Sequence, residues 1–182
     1  MSKPWRVSLL VVAVVGGVVA FWAFRPDTLF VDDRVDEQLD EAFADPTPAA
    51  ALAEDEPATA TPSTVSPDTT PAAPTAVASG TFRGIDHRAA GTATVYERDG
   101  TFVLRLEDDT DIQNGPDLYV WLLPAADYQG GTPTDFIDLG RLKGNVGGQN
   151  YDLPEGFDPE GPLTVLIWCR RFAVPFAAAP LT

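Results

Sequence analysis

The chain holds one cysteine, one histidine and one methionine in 182 residues, and no serine follows Ser79. Each scarcity removes a class of function. A single thiol, Cys169, forms no internal disulfide, and paired cysteines for a structural zinc site are missing. His87 is the only imidazole, so a Ser-His-Asp triad has no complete set of members in residues 80–182. No nucleophile elbow and no phosphate-cradling glycine loop ahead of a helix are found either. Positive charge is also scarce: 12 Lys and Arg stand against 27 Asp and Glu, a net charge of −15. A surface this acidic repels phosphates, which excludes nucleic acid as a partner.

The charge is unevenly spread, and its distribution divides the chain. Residues 1–6 are short and basic (Lys3, Arg6). Val7–Phe24 then runs eighteen residues without a charge, flanked by Trp5 and carrying Trp22 near its far end. At 1.5 Å per residue this is about enough to cross a bilayer core of roughly 30 Å. The apolar stretch is long for a signal-peptide core, and Phe24-Arg25-Pro26 is a poor context for cleavage, so an uncleaved signal anchor is expected. Basic groups before the helix and acids after it place the N-terminus in the cytoplasm and the rest outside, at the cell membrane. Residues 25–44 form an acidic juxtamembrane segment. Val31, Val35, Leu39 and Phe43 recur every four residues there, which predicts a short helix with a narrow apolar stripe. Asp45–Ser79 is rich in Pro, Ala and Thr and poor in large apolar residues, so a disordered linker is expected over 45–79. At about 3 Å per residue, such a spacer holds the next domain on the order of 100 Å from the membrane.

From Gly80 the composition changes. Gly91–Glu97 and Thr101–Glu107 flank the turn Arg98-Asp99-Gly100, whose Asp-Gly pair predicts a hairpin. Leu118–Leu123, Phe136–Leu142, Gln149–Leu153, Leu163–Cys169 and Phe172–Phe176 read as further strands, with no window of helical period. The expected fold of 80–182 is all-β, an antiparallel β-sandwich preceded by the transmembrane helix and linker. Alternation in Leu163–Cys169 puts Leu163, Val165, Ile167 and Cys169 on one face and Thr164, Leu166 and Trp168 on the other. Glu107-Asp108-Asp109-Thr110-Asp111 lacks the glycine and distal glutamate of a calcium loop and reads as an acidic turn. Cys169 and His87 remain as the chemical candidates. Cys169 is either a small buried apolar residue or a reactive thiol; the flanking Arg170 and Arg171 would favour a thiolate. Cys169 and His87 are also residue types that ligate a haem iron or a transition metal.

Several short motifs of residues 80–181 together resemble a known family. Gly80-Thr81-Phe82, His87 with Gly91-Thr92-Ala93, and Asn114-Gly115-Pro116-Asp117-Leu118 are similar to the opening of a DM13 domain, also called an electron-transfer DM13 domain. Asp138-Leu139-Gly140, Leu142-Lys143-Gly144, Gly148–Pro154, Ile167-Trp168-Cys169 and Phe172–Phe176 continue the likeness in order, over Gly80–Leu181. The anchor and acidic segment resemble the actinobacterial single-pass members. The resemblance implies a β-sandwich related to DOMON domains and a redox centre at Cys169, with no DOMON part in this chain. Two readings follow. One is a membrane-anchored extracytoplasmic redox or electron-transfer module centred on Cys169. In that reading His87 is a second ligand or proton donor, Arg170, Arg171 and Lys143 hold the thiolate or an acidic partner, and a redox partner protein or cell-surface component completes the exchange. The other is a non-catalytic surface binding module for glycan or protein. There Trp121, Tyr119 and Tyr128 form the platform and Cys169 is core. A homodimer linked through Cys169 is a third expectation.

Overall fold

The computed structural model describes residues 11–16, 32–43 and 72–182. Two antiparallel sheets face one another. The first has the order β1 (Thr75–Thr81), β4 (Thr92–Arg98), β5 (Thr101–Leu106), β9 (Gln149–Asp152). The second runs β2 (Arg83–Gly84), β11 (Val174–Leu181), β10 (Leu163–Cys169), β7 (Leu118–Leu123), β8 (Ile137–Arg141). A two-stranded ribbon of β3 (Ala89–Ala90) and β6 (Asp111–Ile112) lies beside them. The outer strand β1 of the first sheet and the end of β11 in the second are tied at a corner, where Ser79 and Thr182 exchange backbone hydrogen bonds of 3.1 and 3.0 Å.

Between the sheets sits the main core. Val95, Leu104 and Leu106 of the first sheet and Val120, Leu122, Val165, Ile167 and Cys169 of the second belong to it. Each such side chain, fully buried, stabilises the fold by about 1.5–3 kcal/mol. All seven residues of β10 are buried, because both its faces are covered. Val165, Ile167 and Cys169 point into the sandwich. Leu166 and Trp168 point outward into a second cluster with Trp121, covered in part by Ala125, Tyr128 and Phe136. That explains why β10 lacks the polar alternation of a half-exposed strand. Its one polar outward residue, Thr164, donates its hydroxyl to the Ala125 carbonyl at 2.8 Å.

The hairpin between β4 and β5 turns through Asp99 (φ 54°) and Gly100 (φ 81°). Two successive positive φ values make a primed turn, whose twist matches the flanking strands. Strand β11 starts only at Val174, after a turn that takes Phe172 and Ala173 out of the expected Phe172–Phe176, and reaches Leu181 in spite of Pro175 and Pro180. The prolines are tolerated because β2 pairs only with Ala177 and Ala178, so a missing N–H at either proline leaves no partner strand unbonded on that side.

Two expectations need correction. Strand β1 begins at Thr75 and therefore takes Thr75–Ser79 out of the expected linker. Its small residues carry little apolar signal, but β4 supplies the pairing. The helix expected on the stripe Val31–Phe43 is present only as α1 (Leu39–Ala42). Val35 is instead extended, its N–H donating to the Val146 carbonyl at 2.9 Å. Of the recurring residues, Val35 lies beside Gly144 and Phe43 lies under Arg98, while Leu39 opens the short helix. Within the apolar stretch 7–24, residues 11–16 are helical, with Val11, Val12, Val14 and Val15 exposed. The rest of that stretch, residues 1–6, Val31 and the linker residues up to 71 lie outside the described residues. Among the described residues no helix is long and apolar enough to cross a membrane.

Candidate redox site at Cys169

Cys169 ends β10, paired with Leu118 on one side and Val174 on the other. It is a free thiol with no solvent exposure. Just before it the ladder to β11 slips: Ile167 faces Ala177 but Trp168 faces Pro175. Phe176 is thus the extra residue of a β-bulge, and bulges re-aim side chains. The ring of Phe176 is buried in the main core and carries His87 stacked on its face, centroids 3.7 Å apart. A Cβ at Gly115 would lie 2.7 Å from Phe176 and 2.8 Å from Leu118, so the Asn114–Pro116 loop packs on both. Cys169 and His87 are therefore linked through Leu118, Gly115 and Phe176, and no bond or ring contact joins them directly.

Two of the three residues expected to hold a thiolate, Arg170 and Lys143, are engaged elsewhere. Arg170 pairs with Asp138 and lies over the Tyr119 ring at 3.8 Å. Arg171 is exposed. Lys143 donates to both carboxylate oxygens of Glu37 at 2.8 and 2.9 Å and to the Asn150 carbonyl at 2.7 Å. The acidic turn is wired into the fold: Glu107 and Asp108 meet Arg105, Asp109 accepts from Thr92, and Asp111 meets Arg88.

These residues do not fit a resident haem or transition metal. Cys169 is enclosed by apolar neighbours and the His87 ring is packed flat on Phe176. Among the described residues no three His, Cys, Asp or Glu side chains gather as a ligand set. The expected aromatic platform is also not on the surface. Trp121 is 4% exposed, stacked between Phe136 at 3.9 Å and Trp168 at 5.2 Å. Its indole N–H is buried without a partner. Tyr128 is half-buried, with its hydroxyl donating to the Gly131 carbonyl, and Tyr119 lies beneath Arg170 and Arg141.

Sequence reasoning missed a second polar centre. Arg105, 5% exposed, donates to Glu107, Asp108, the Asn150 side chain and the Glu37 carbonyl. Nearby, Tyr151 donates to Gln149 at 2.7 Å. Burial, with the nearby Glu37 carboxylate, pushes its phenol well above the ordinary range against the opposing Lys143 N–H. An arginine in an otherwise apolar strand, Thr101–Leu106, was the available signal.

What these features define is an all-β, two-sheet domain with one enclosed thiol beside a bulged hairpin. The chain belongs to the DM13 family, described as Electron transfer DM13, which it matches over residues 81–181. No curated protein and no solved structure matches it. The family description makes the domain a redox-related module at the level of its class.

Proposed function

We propose that the chain is a membrane-anchored, extracytoplasmic electron-transfer module whose redox group is Cys169. The observation that carries the reading is Cys169 itself, the only thiol of a domain in a family described by electron transfer. Enclosure does not disqualify it. Its chain neighbour Trp168 begins a stack that runs through Trp121 to the half-buried Phe136, which gives electrons a path outward without exposing sulfur. Direct sulfur chemistry would instead require the β10–β11 hairpin end to open. The exposed valines of residues 11–16 and the uncharged stretch around them support the anchor. The exchange partner is a redox protein or a cell-surface component.

Voltammetry of the full chain tests this: a reversible response is expected, and it disappears in Cys169→Ala. A response unchanged by that substitution, or none in either protein, overturns the reading. Full enclosure of Cys169 favours the second reading, a non-catalytic surface module in which the thiol is core. The burial of Trp121 removes the aromatic platform first expected for it.

A further inference from the structure

We propose that loop 143–150 and the adjoining outer side of β5 form a binding groove for an extended acidic peptide, and that residues 32–43 of the same chain are its resident occupant. The occupant lies outside the family match, yet it is docked by backbone and side chain alike. The Val146 N–H donates to the Asp33 carbonyl at 3.3 Å, the Val35 N–H to the Val146 carbonyl at 2.9 Å, and the Glu37 N–H to the Gly148 carbonyl at 3.0 Å. With Arg34 bridged in parallel to Val146, alternate residues bond as in an added strand, a known mode of peptide capture.

The side chains supply specificity. Asn145, 3% exposed, accepts from the Asp33 N–H at 2.6 Å and donates to the Asp32 carboxylate at 2.9 Å. The Glu37 carboxylate receives Lys143 on both oxygens and the Asn150 N–H at 2.8 Å. Arg105 reaches the Glu37 carbonyl at 2.8 Å, and Asn150 donates to the Gln38 carbonyl at 2.9 Å. At the far end Arg98 bonds the Phe43 carbonyl and lies 4.6 Å over its ring. The groove is built for close backbone approach: a Cβ at Gly147 (φ +96°) would lie 2.1 Å from the Val35 carbonyl oxygen, and one at Gly144 2.4 Å from that of Asp33. Segment 32–43 carries six acids against Arg34, which matches the cations that meet it.

Docking changes what the linker does. Residues 32–43 and β1 then belong to one folded unit, so the length of chain between them does not add to the domain's reach. Resting on the reading of Val7–Phe24 as an anchor, the reach from the membrane is set by residues 25–31, at most about 25 Å at full extension. Release of the segment would restore the longer reach.

The test uses the full chain in detergent, with a site-specific protease sequence placed within 44–71. After cutting, the N-terminal piece is expected to stay with the domain through gel filtration. Excess synthetic peptide 32–43 should displace it, and the same peptide carrying Glu37→Gln should compete about tenfold less well. In the uncut chain the Val35 and Glu37 amides should exchange at least about tenfold slower than in the free peptide, and lose that protection in Gly147→Val. Lys143→Met provides a second variant should Gly147→Val unfold the domain, judged by protection in β10. Separation of the pieces on cutting, with β10 still protected, overturns the proposal. So does strap protection that rises with protein concentration alongside a dimeric mass, because the occupant would then come from a second copy. Neither readout involves Cys169 or a membrane, so this proposal and the redox reading fail independently.

Discussion

Replacing Arg105 with methionine tests the energetic centre of the first sheet's outer face. Arg105 is 5% exposed and its guanidinium has four acceptors. They do not contribute equally. Asp108 is 73% exposed, so solvent screens that pair and its loss costs almost nothing. Glu107 is 24% exposed and remains a partly enclosed carboxylate. The Asn150 side-chain oxygen and the Glu37 carbonyl are neutral acceptors bonded to a charge; loss of such a partner costs about 1–3 kcal/mol when the acceptor stays buried. Methionine retains the apolar stem and so removes the polar contribution almost alone. Some of the loss is offset because the arginine no longer has to be desolvated. The expected destabilisation is about 3 kcal/mol. In urea, with a slope near 1.5 kcal/mol per molar for a domain of this size, the midpoint should fall by about 2 M. Fluorescence of Trp121 and Trp168 reports the transition. A companion Asn150→Leu should cost less in the Arg105→Met background than alone, because its acceptor is already unpaired there. A midpoint shift below about 0.5 M, or strict additivity of the pair, would refute the assignment of Arg105 as the polar hub.

Three further outcomes are expected. Burial raises the Glu37 carboxyl, but the Lys143 bond, the Asn150 N–H and the positive Arg105 outweigh it, so the folded value lies below the ordinary 4.5. Glu37 therefore contributes stability above the unfolded value that fades as pH falls through the folded one; urea midpoints of wild type and Glu37→Gln should differ at pH 7 and converge in acid. Gly100→Ala should cost about 1 kcal/mol through φ strain alone, since nothing lies within 4 Å of the added Cβ; a neutral result in thermal unfolding would mean the turn relaxes. Cys169→Ser should cost about 1–3 kcal/mol for a hydroxyl placed among apolar neighbours, and an unchanged unfolding midpoint would show that water reaches the site.

The elements most legible from sequence were those whose pattern is decided by contact with the core. Leu118–Leu123 and Leu163–Cys169 are continuous apolar runs bounded by turn residues, and both are strands with those limits. Asp99-Gly100 announced its hairpin because few pairs of residues accept two positive φ values. The docked segment was illegible for the opposite reason. Its register is set by main-chain bonds to residues 146 and 148, and main-chain bonds leave no side-chain signature. What the sequence displayed, a four-residue apolar recurrence over acids, fits a helix as well as a strap. Strand β1 escaped for a related reason, being made of Thr, Ala, Val, Ser and Gly.

The same distinction bears on Cys169. Alternation placed it inward with Val165 and Ile167, and the structure puts it there without exposure. That position alone is what a packing residue would occupy. Its setting adds what alternation could not show: the Phe176 bulge one step before it, His87 stacked on that bulge, and Arg170 drawn off to Asp138 and Tyr119 rather than to sulfur. The Arg170 guanidinium is therefore committed to Asp138 and the Tyr119 ring, and Arg171 is exposed. If Cys169 carries electrons, it does so from an enclosed, apolar setting, through the neighbouring aromatic stack or after the hairpin end opens. The two routes separate experimentally. Trp168→Leu should slow the voltammetric response and leave thiol labelling unchanged if the stack is the path. Weakening the bulge with Phe176→Ala should speed labelling and the response together if opening is the path.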